Sequence, residues 1–326
     1  MITRSAFHPA WWLPGPHLQT LYPSLFRRRR PPRLTRERLE LPDGDFLDLE
    51  WTGKTAGSVV LILHGLEGSL ESHYTGGMLG ALYRQGYNAC LMYLRGCSGE
   101  PNRQPYSYHS GKTDDLDFVV RAIKQRLPGQ PLAIVGFSLG GNILLKWLGE
   151  QGASASITTA VAISVPFDLK QAALRLEHGI SRIYQHYLVK KLHSSARRKA
   201  CLHQLPWPPE RIHELRTFHR FDNEITAPLN GFRDVDDYYA RASSKQFLKL
   251  IQVPTLLIQA RDDPFLPASA LPQNDDLSPV VTLELSRRGG HVGFVSGGNP
   301  MRPQYWLEQR VVQHLRTTAG ATHKIT

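Results

Sequence analysis

The amino-acid sequence predicts an α/β fold with a mostly parallel central sheet, helices on both of its faces and a helical cap inserted late in the chain. Short apolar runs rich in β-branched residues alternate with helical stretches over residues 58–166, which is the pattern of a doubly wound sheet. The alternation stops over residues 167–250, where helical patterns run without a convincing strand, and it resumes at Pro254. We therefore expect the middle segment to be an insertion between two strands of one sheet.

Length and composition place the chain among soluble globular proteins. Its 326 residues suffice for one large α/β domain with an insertion, and its apolar share of 41% is ordinary. No window approaches the roughly 18 consecutive apolar residues of a membrane span, and prolines interrupt the apolar N-terminal stretch, so no signal peptide is expected. The cysteines are too few for a disulfide framework and match no zinc spacing, which favours a reducing cytoplasm: Cys90, Cys97 and Cys201.

The chain is basic, with a net charge of +11 from 39 basic and 28 acidic residues. Such a surface could attract anionic lipid headgroups or acidic substrates, and the simpler interpretation is a solvated basic face. Nucleic acid is not expected as a partner, because no nucleic-acid-binding motif accompanies the charge and no aromatic residues interleave with it. The basic residues cluster at 27–30, at 190–191 with 197–199, and at 287–288.

The first third of the chain predicts an arm, a hairpin and two buried strands. Residues 1–34 are rich in proline and tryptophan, and we expect an irregular arm that packs on the body of the protein. Alternating apolar and polar residues around Pro42-Asp43-Gly44-Asp45 predict a β-hairpin. The continuous apolar runs at 58–63 and 88–94 predict strands buried on both faces, joined by a helix over 74–85.

A Gly-Phe-Ser-Leu-Gly motif lies where a buried strand over 131–137 turns into a helix. This strand–turn–helix context gives G-x-S-x-G its chemical meaning, because the turn presents Ser138 at the end of the sheet in a strained conformation. Gly136 and Gly140 would allow strand and helix to approach closely. The motif also admits a simpler interpretation, in which small residues merely close a tight turn.

The second half predicts three more strands, a cap and a closing helix. Strands are expected over 158–165, 254–260 and 280–285, and a final helix over about 303–316. The predicted domains are thus the arm over 1–34, a core over 35–166 and 251–326, and a cap over 167–250. In the cap, six apolar residues fall on one helical face: Ile180, Ile183, Tyr184, Tyr187, Leu188 and Leu192.

An acid and a histidine follow the last two strands, in the order that a serine nucleophile requires. A serine hydroxyl needs a general base, and the base needs a third group to fix its tautomer. Asp262 and Asp263 follow the strand after the cap, and His291 lies in a glycine-flanked loop after the next strand. Asp263 is the preferred acid, because an acid four residues before a proline is common in such folds, with Asp262 as loop support or alternative acid. Each of these residues could instead be an ordinary turn or loop residue.

A second backbone donor for an oxyanion is expected in the loop over residues 64–68. This loop follows the first long strand, so the amides of Leu66 and Leu139 are the predicted oxyanion hole. Other motifs fail: Tyr106 occupies a glycine position of the phosphate-binding loop pattern, and Thr217 occupies the second histidine position of a zinc-protease helix. No G-x-G-x-x-G follows a strand, so we expect neither a cofactor nor a metal.

These motifs resemble the α/β-hydrolase superfamily, and more closely its YheT-like esterase branch, which is related to the abhydrolase-domain lipases and esterases of eukaryotes. By resemblance, Ser138, Asp263 and His291 are the catalytic triad. The similarity extends over nearly the whole chain, in strings at 17–20 (His-Leu-Gln-Thr), 41–45, 64–68, 95–103, 108–111, 136–142, 262–265 and 289–294.

The expected function is that of a cytoplasmic serine hydrolase, without a cofactor, that cleaves carboxylic esters through an acyl-enzyme. Short or medium acyl esters or monoacylglycerol-like lipids are the expected substrates, with the cap and arm setting chain length. The protein is expected to be a monomer, with weak contact to an anionic membrane surface permitted by its charge. Two alternatives stay open: a ligand-binding protein on a hydrolase scaffold, and an acyltransferase that uses the same triad.

Overall fold

A nine-stranded sheet forms the centre of the computed structural model, which describes residues 1–27, 31–53, 57–203 and 208–322. The strand order is β1-β9-β8-β7-β6-β4-β5-β3-β2, and only the β2–β3 and β3–β5 pairs are antiparallel. The strands are β1 (Ile2–Arg4), β2 (Thr35–Glu40), β3 (Phe46–Trp51), β4 (Val59–Leu63), β5 (Asn88–Met92), β6 (Leu132–Phe137), β7 (Thr159–Ile163), β8 (Thr255–Ala260) and β9 (Val281–Ser286), with a separate hairpin of β10 (Val295–Ser296) and β11 (Gln304–Tyr305).

Helices cover both faces of the sheet, as the fold class predicts. Alternate residues of β4 point to opposite faces, so that Leu61 joins one apolar layer and Ile62 joins the other. The helices are α1 (Gly15–Phe26), α2 (Thr75–Arg84), α3 (Thr113–Arg126), α4 (Leu139–Gln151), α5 (Leu169–Leu176), α6 (Ser181–Ala200), α7 (Phe218–Phe221), α8 (Ala227–Leu229), α9 (Val235–Ala242) and α10 (Trp306–Thr322). The first layer contains residues of α3 and α4, and the second contains residues of α2 and α10.

The prediction of an irregular arm was wrong at two places. β1 pairs in parallel with β9, with Ile2 opposite Leu283, and α1 is a twelve-residue helix. The strand is too short to have a pattern of its own and exists because β9 offers it an edge. The prolines of the arm suggested interruption, yet a proline at the first turn of a helix is compatible with helical geometry, and Pro23 lies inside α1 without ending it.

The six apolar residues that fall on one helical face of the cap differ in burial. On α6, Tyr184 is buried and Leu188 and Leu192 are half-buried, whereas Ile183 is 66% exposed. Ile180, just before α6, and Tyr187 are exposed as well. At 3.6 residues per turn, the six residues span about half of the helix circumference, and only one side of that arc packs on the protein.

Five helices and their connecting turns occupy the chain between β7 and β8. They are α5 to α9, with a π-helical turn over Asp222–Thr226 and a 3-10 turn over Lys245–Leu250. Among residues 167–203 and 208–250 no strand occurs. Their apolar side chains form clusters separate from the two layers of the sheet, around Tyr238 and around Ile212. This segment therefore lies over the sheet as an additional layer.

Candidate active site

Ser138 forms the turn between β6 and α4. Its backbone has a φ of 50° and a ψ of −118°, which non-glycine residues rarely adopt, and its N–H donates to the carbonyl of Ile163 at 2.8 Å. A Cβ on Gly136 would lie 2.6 Å from the carbonyl oxygen of Gly140, and one on Gly140 would lie 2.5 Å from that of His64. The turn therefore closes only with glycine at both positions, and it holds the serine hydroxyl at the carboxyl edge of the sheet.

The imidazole of His291 lies between Ser138 and Asp263. Its Nε2 is 3.0 Å from the Ser138 Oγ, and its Nδ1 is 2.9 Å from Oδ2 and 3.1 Å from Oδ1 of Asp263. The ring of Phe265 stacks in parallel on the imidazole with the ring centroids 3.9 Å apart. Side chains 153 and 28 residues distant from each other in the chain thus form one hydrogen-bonded series, the geometry that activates a serine as a nucleophile.

The two neighbouring acids have different surroundings. Asp263 accepts hydrogen bonds from the Gln259 amide at 3.1 Å and from the N–H of Phe265 at 2.8 Å, in addition to its contact with His291. Asp262 accepts from the N–H of Gly290 at 3.1 Å, and burial raises the pKa of its carboxyl. Of the two acids that the sequence left open, the structure therefore brings Asp263 to the histidine and places Asp262 against the backbone of the histidine loop.

The amides of Leu66 and Leu139 lie on loops that meet at the serine. Both residues line the same cavity as Ser138, and Leu139 is the first residue of α4, at the positive end of the helix dipole. Neither amide donates a hydrogen bond to another group in the part of the chain that the structure describes. Unengaged N–H groups beside a nucleophile can bind an oxyanion, which fits the role predicted for them.

The loop over residues 64–68 is held in shape by contacts that sequence reasoning missed. Burial lowers the pKa of His64 to about 4, so its ring is neutral; Nδ1 bonds the Gly65 carbonyl at 2.7 Å and Nε2 accepts from the N–H of Leu94 at 3.0 Å. Glu67 has a φ of 47°, and its N–H donates to the Tyr108 hydroxyl at 2.7 Å. The partners lie 30 and 41 residues away, so no local pattern could have revealed them.

A cavity of about 1370 Å³, counted with its open mouth, lies between the cap and the carboxyl edge of the sheet. Ser138 and His291 line it from the core. Its cap side is mostly apolar, which suits an acyl chain better than a polar group. The apolar residues that line it from the cap are Leu169, Ala172, Ala173, Leu176, Leu188, Leu192, Ala196, Phe218, Phe221, Ile225 and Leu229.

Two polar side chains of α6 tie the cap to the core. The Ser195 hydroxyl donates to Oε2 of Glu67 at 2.5 Å, and the Lys199 ammonium donates to the carbonyl of Asn102 at 2.9 Å. Lys199 also bonds the Asn102 side chain and the carbonyl of Gln104, and burial lowers the pKa of its amine to about 8. The interpretation of the basic clusters as a solvated face was therefore wrong for Lys199, and residues 28–30 of the arginine cluster lie outside the described residues.

One carboxylate interrupts the apolar cap side of the cavity. Asp222 lies in the π-helical turn, and its two oxygens accept from the hydroxyls of Thr226 at 2.7 Å and of Tyr239 at 2.8 Å. Burial raises the pKa of this carboxyl to about 6. The residue is only partly accessible, and it lines the cavity.

The structure shows neither a metal cluster nor a membrane span in residues 1–27, 31–53, 57–203 and 208–322. No group of three or more His, Cys, Asp or Glu side chains there is arranged to hold a metal ion. No helix there combines the length and the apolarity needed to cross a bilayer. The expectation that the protein needs no cofactor or metal stays a prediction.

Comparisons with known proteins give a family and several relatives. A family model described as alpha/beta hydrolase fold matches residues 58–298. The chain is 41% identical to the Escherichia coli K12 protein named "Putative esterase YheT" over 92% of this chain and 90% of that one. It is 28% identical to the mouse protein named phospholipase ABHD3, over 93% of this chain and 77% of that one. These likenesses extend along nearly the whole sequence.

Two further likenesses are more distant. The yeast protein named monoacylglycerol lipase is 29% identical over 80% of this chain and 59% of that one. Among solved structures, the Pyrococcus furiosus esterase Pf2001 is similar with a TM-score of 0.57 at 19% identity, over 89% of this chain and 98% of that chain. At that identity the structural likeness concerns the fold.

Proposed function

The chain is an esterase/lipase-type member of the α/β-hydrolase family, and from that membership we propose that it cleaves carboxylic esters through a Ser138–His291–Asp263 triad. The observation that carries the proposal is the hydrogen-bonded series in which His291 Nε2 lies 3.0 Å from the Ser138 Oγ and Nδ1 lies 2.9 Å from Asp263 Oδ2. A nucleophile, a general base and an orienting acid are all that an acyl-enzyme mechanism asks of side chains.

In the first half-reaction, the Ser138 Oγ bonds to the ester carbonyl carbon while His291 Nε2 takes the hydroxyl proton. The carbonyl oxygen becomes an oxyanion, and the amides of Leu66 and Leu139 stabilise it. As the tetrahedral intermediate collapses, the bond between the acyl carbon and the leaving alcohol breaks, and Nε2 gives the proton to the oxygen of that alcohol. The acyl group is then bound to Ser138 as an ester, and Asp263 has held the imidazolium in orientation throughout.

In the second half-reaction, water takes the place of the alcohol. His291 Nε2 removes a proton from the water as its oxygen attacks the acyl carbon, and the same two amides hold the new oxyanion. Collapse breaks the bond to Ser138 Oγ, which recovers its proton from Nε2. The products are the free carboxylic acid and the regenerated serine.

The cavity supports short or medium acyl esters and monoacylglycerol-like lipids as substrates. Its cap side is lined mostly by aliphatic and phenylalanine side chains, which bind acyl chains by apolar burial. Relatives named phospholipase and monoacylglycerol lipase point to lipid esters as well. Turnover is proposed over simple ligand binding, because a buried acid behind the histidine serves no purpose in a binding protein. Of the two reactions that this triad could catalyse, hydrolysis is proposed over acyl transfer.

A cytoplasmic location, a monomeric state and weak contact with anionic lipid complete the proposal. The three cysteines are unpaired, and Cys201 is exposed, which suits a reducing compartment. The net charge of +11 supports attraction to anionic lipid.

Replacement of the nucleophile tests the proposal. Ser138→Ala should abolish hydrolysis of p-nitrophenyl butyrate and labelling by a fluorophosphonate probe, while circular dichroism and the melting temperature stay near those of the parent. Ser107→Ala, at another serine that lines the cavity, is the matched control and should keep both activities. Substantial turnover by Ser138→Ala, or no labelling of the parent protein, would contradict the proposal. Addition of a competing alcohol separates acyl transfer, which forms a new ester, from hydrolysis.

A further inference from the structure

Large apolar side chains are exposed along one side of α1 and one side of α6. Leu18, Leu21 and Leu25 follow each other at helical spacing on α1, and Leu25 is 70% exposed. Ile183 and Tyr187 repeat this arrangement on α6, continued by Ile180 just before the helix. We call these two stripes, together with Phe26 at the end of α1, the apolar face. A concentration of exposed large apolar side chains marks a site of interaction.

α1 and α6 meet at one side-chain contact. The His17 Nδ1 lies 3.0 Å from the Tyr184 hydroxyl, and the two rings stack with centroids 5.8 Å apart. Leu18 follows His17 in α1 and Ile183 precedes Tyr184 in α6, so each stripe includes a residue next to this contact in the chain.

The charged residues of the two helices are all basic. α6 contains six lysines and arginines and no acidic residue, and α1 contains no charged residue. Lys190 and Lys191 follow Tyr187 at the end of its stripe, and the Lys191 Nζ lies 5.1 Å from the Tyr187 ring centroid. A helix that combines an exposed apolar stripe with purely basic flanks is complementary to anionic headgroups above an acyl layer.

The apolar face is also close to the reaction centre. Tyr184 packs against Phe265 with ring centroids 5.1 Å apart, and Phe265 stacks on His291. Another side of α6, beyond Tyr184, lines the cavity through Leu188 and Leu192. A surface bound to the outer side of α6 would thus be separated from the active site by the width of one helix.

We propose that the apolar face docks the protein on an anionic lipid bilayer. Ile180, Ile183, Tyr187 and the α1 leucines enter the outer acyl region, and Lys190 and Lys191 bind headgroups. This assigns a surface and a partner to the weak membrane contact named above, and it rests on the proposed function only for its purpose, which is to bring lipid esters to the cavity.

Co-sedimentation with vesicles tests the docking. The parent protein should bind vesicles of equal parts phosphatidylcholine and phosphatidylglycerol, and bind phosphatidylcholine alone far less. Ile183→Asp and Leu25→Asp should each weaken partitioning about tenfold, because each puts a charge into the apolar face. Lys190→Glu with Lys191→Glu should weaken it similarly at low salt, with the difference fading at high salt. Leu250→Asp, at an exposed apolar residue outside the face, is the control and should bind as the parent does.

Two outcomes would overturn the docking proposal. One is a failure of the vesicle assay, in which the parent protein does not bind at low salt or binds no better than the face variants. The other is concentration-dependent dimerisation in sedimentation velocity that Ile183→Asp abolishes, which would assign the face to a second copy of the chain. Hydrolysis of soluble p-nitrophenyl butyrate should be unchanged in every face variant, so failure of docking is distinct from failure of the proposed function.

A separate set of contacts joins α1 to the loop that carries His291. Gln19 is buried, and its side chain bonds both backbone groups of Val295, accepting from the N–H at 2.8 Å and donating to the carbonyl at 3.1 Å. The Thr20 Oγ1 accepts the N–H of His291 itself at 2.9 Å and donates to the carbonyl of Pro16 at 2.8 Å. The Gln-Thr pair of the string at 17–20 thus binds the histidine loop on both sides of its strained segment.

That loop cannot hold its conformation by local preference. Val292 and Phe294 have φ values of 51° and 46°, which side chains disfavour. The loop also packs tightly on the helix, since a Cβ on Gly293 would lie 2.2 Å from the carbonyl oxygen of Gln19. From these contacts we infer that Gln19 and Thr20 are positioning residues, which fix the imidazole of His291 without touching a reacting atom.

Thr20→Val and Thr20→Ser separate positioning from general stability. Thr20→Val leaves the His291 N–H without its acceptor, so kcat should fall about tenfold with KM unchanged, and Thr20→Ser should restore most of it. Ser5→Ala removes another hydrogen bond between the arm and the core, to Glu284, and should leave kcat unchanged. All rates are expressed per site titrated by the fluorophosphonate. A parent-like kcat in Thr20→Val, or equal loss in Thr20→Ser, would overturn the inference.

Discussion

The sheet core and the cap shape the active site by different means. In the core, backbone geometry fixes the nucleophile: Ser138 is held by its bond to Ile163 and by the glycine turn after β6. In the cap, single side-chain hydrogen bonds attach the helices to the core, such as those of Ser195 to Glu67 and of Ser181 to the carbonyl of Pro264 at 2.8 Å. Backbone geometry is altered only by large rearrangements, whereas one substitution removes a side-chain bond.

This difference predicts a division of effects between core and cap. Changes to core groups should reduce turnover of every ester, because all substrates use the same nucleophile and base. Changes in the cap should act on substrate binding or on stability. Three predictions, from the largest expected effect to the smallest, test this division.

Asp263→Asn should have the largest effect. The amide cannot hold His291 in the tautomer that accepts the serine proton, so kcat should fall by about 10⁴-fold for short and long esters alike. Asp262→Asn is the matched control, because its side chain bonds the N–H of Gly290 and not the imidazole, and it should lose less than about tenfold. A larger loss in Asp262→Asn than in Asp263→Asn would reverse the assignment of the acid. Stopped-flow or steady-state assays with p-nitrophenyl esters measure both.

Glu67→Gln tests whether a contact with the cap affects the catalytic loop of the core. Glu67 follows Leu66, and its carboxylate accepts hydrogen bonds from Ser195 of the cap and from Tyr108 of the core at 2.9 Å. An amide can accept only one of these bonds, so the loop should loosen and kcat should fall about tenfold, part of the effect of losing an oxyanion donor. Ser195→Ala removes the cap bond alone.

The two variants at this contact give a clear alternative outcome. If Ser195→Ala lowers kcat as Glu67→Gln does, the cap sets the oxyanion hole and the separation of core and cap fails at this point. If Ser195→Ala changes only KM, the division stands. Measurement of kcat and KM on one soluble ester and one monoacylglycerol distinguishes the two.

Asp222→Asn should have the smallest effect on turnover and a measurable effect on stability. Burial raises the pKa of Asp222 from 3.8 to about 6, so the folded protein holds this proton more tightly than the unfolded chain does. Its contribution to the free energy of unfolding is therefore most favourable below pH 4 and is lost as the pH rises through 6. Allowing for screening from the cavity, the loss is about 1 kcal/mol.

Urea unfolding at several pH values checks this prediction. Asp222→Asn has no such proton, so its stability relative to the parent should improve between pH 4 and pH 7. Asp236→Asn, at an exposed carboxylate of α9, serves as the control and should show no comparable trend. A constant difference between Asp222→Asn and the parent at all pH values would contradict the prediction.

The parts of the structure that sequence could predict are those encoded locally. The strands from β4 to β9 are apolar runs, and the turn at Ser138 has its glycines within two residues. The order of serine, acid and histidine along the chain follows from the fold class that these runs predict, because parallel strands end at one edge of the sheet.

What sequence could not predict depends on partners far away in the chain. β1 has only three residues, and Lys199 lies in a basic run that resembles solvated surface until its three acceptors are in place. Helical spacing identified the apolar residues of α6, yet it does not tell which side of the helix meets a neighbour and which stays exposed. The bond between Ser195 and Glu67 joins residues 128 positions apart.

The parallel pairing of β1 with β9 has a consequence for folding during synthesis. Ile2 leaves the ribosome some 280 residues before its partner Leu283. The arm of the nascent chain therefore stays unpaired, with its tryptophans and leucines exposed to solvent, until β9 has been synthesised. Closing so long a loop is slow, and chaperones that shield exposed apolar segments should bind the unfinished polypeptide at its arm.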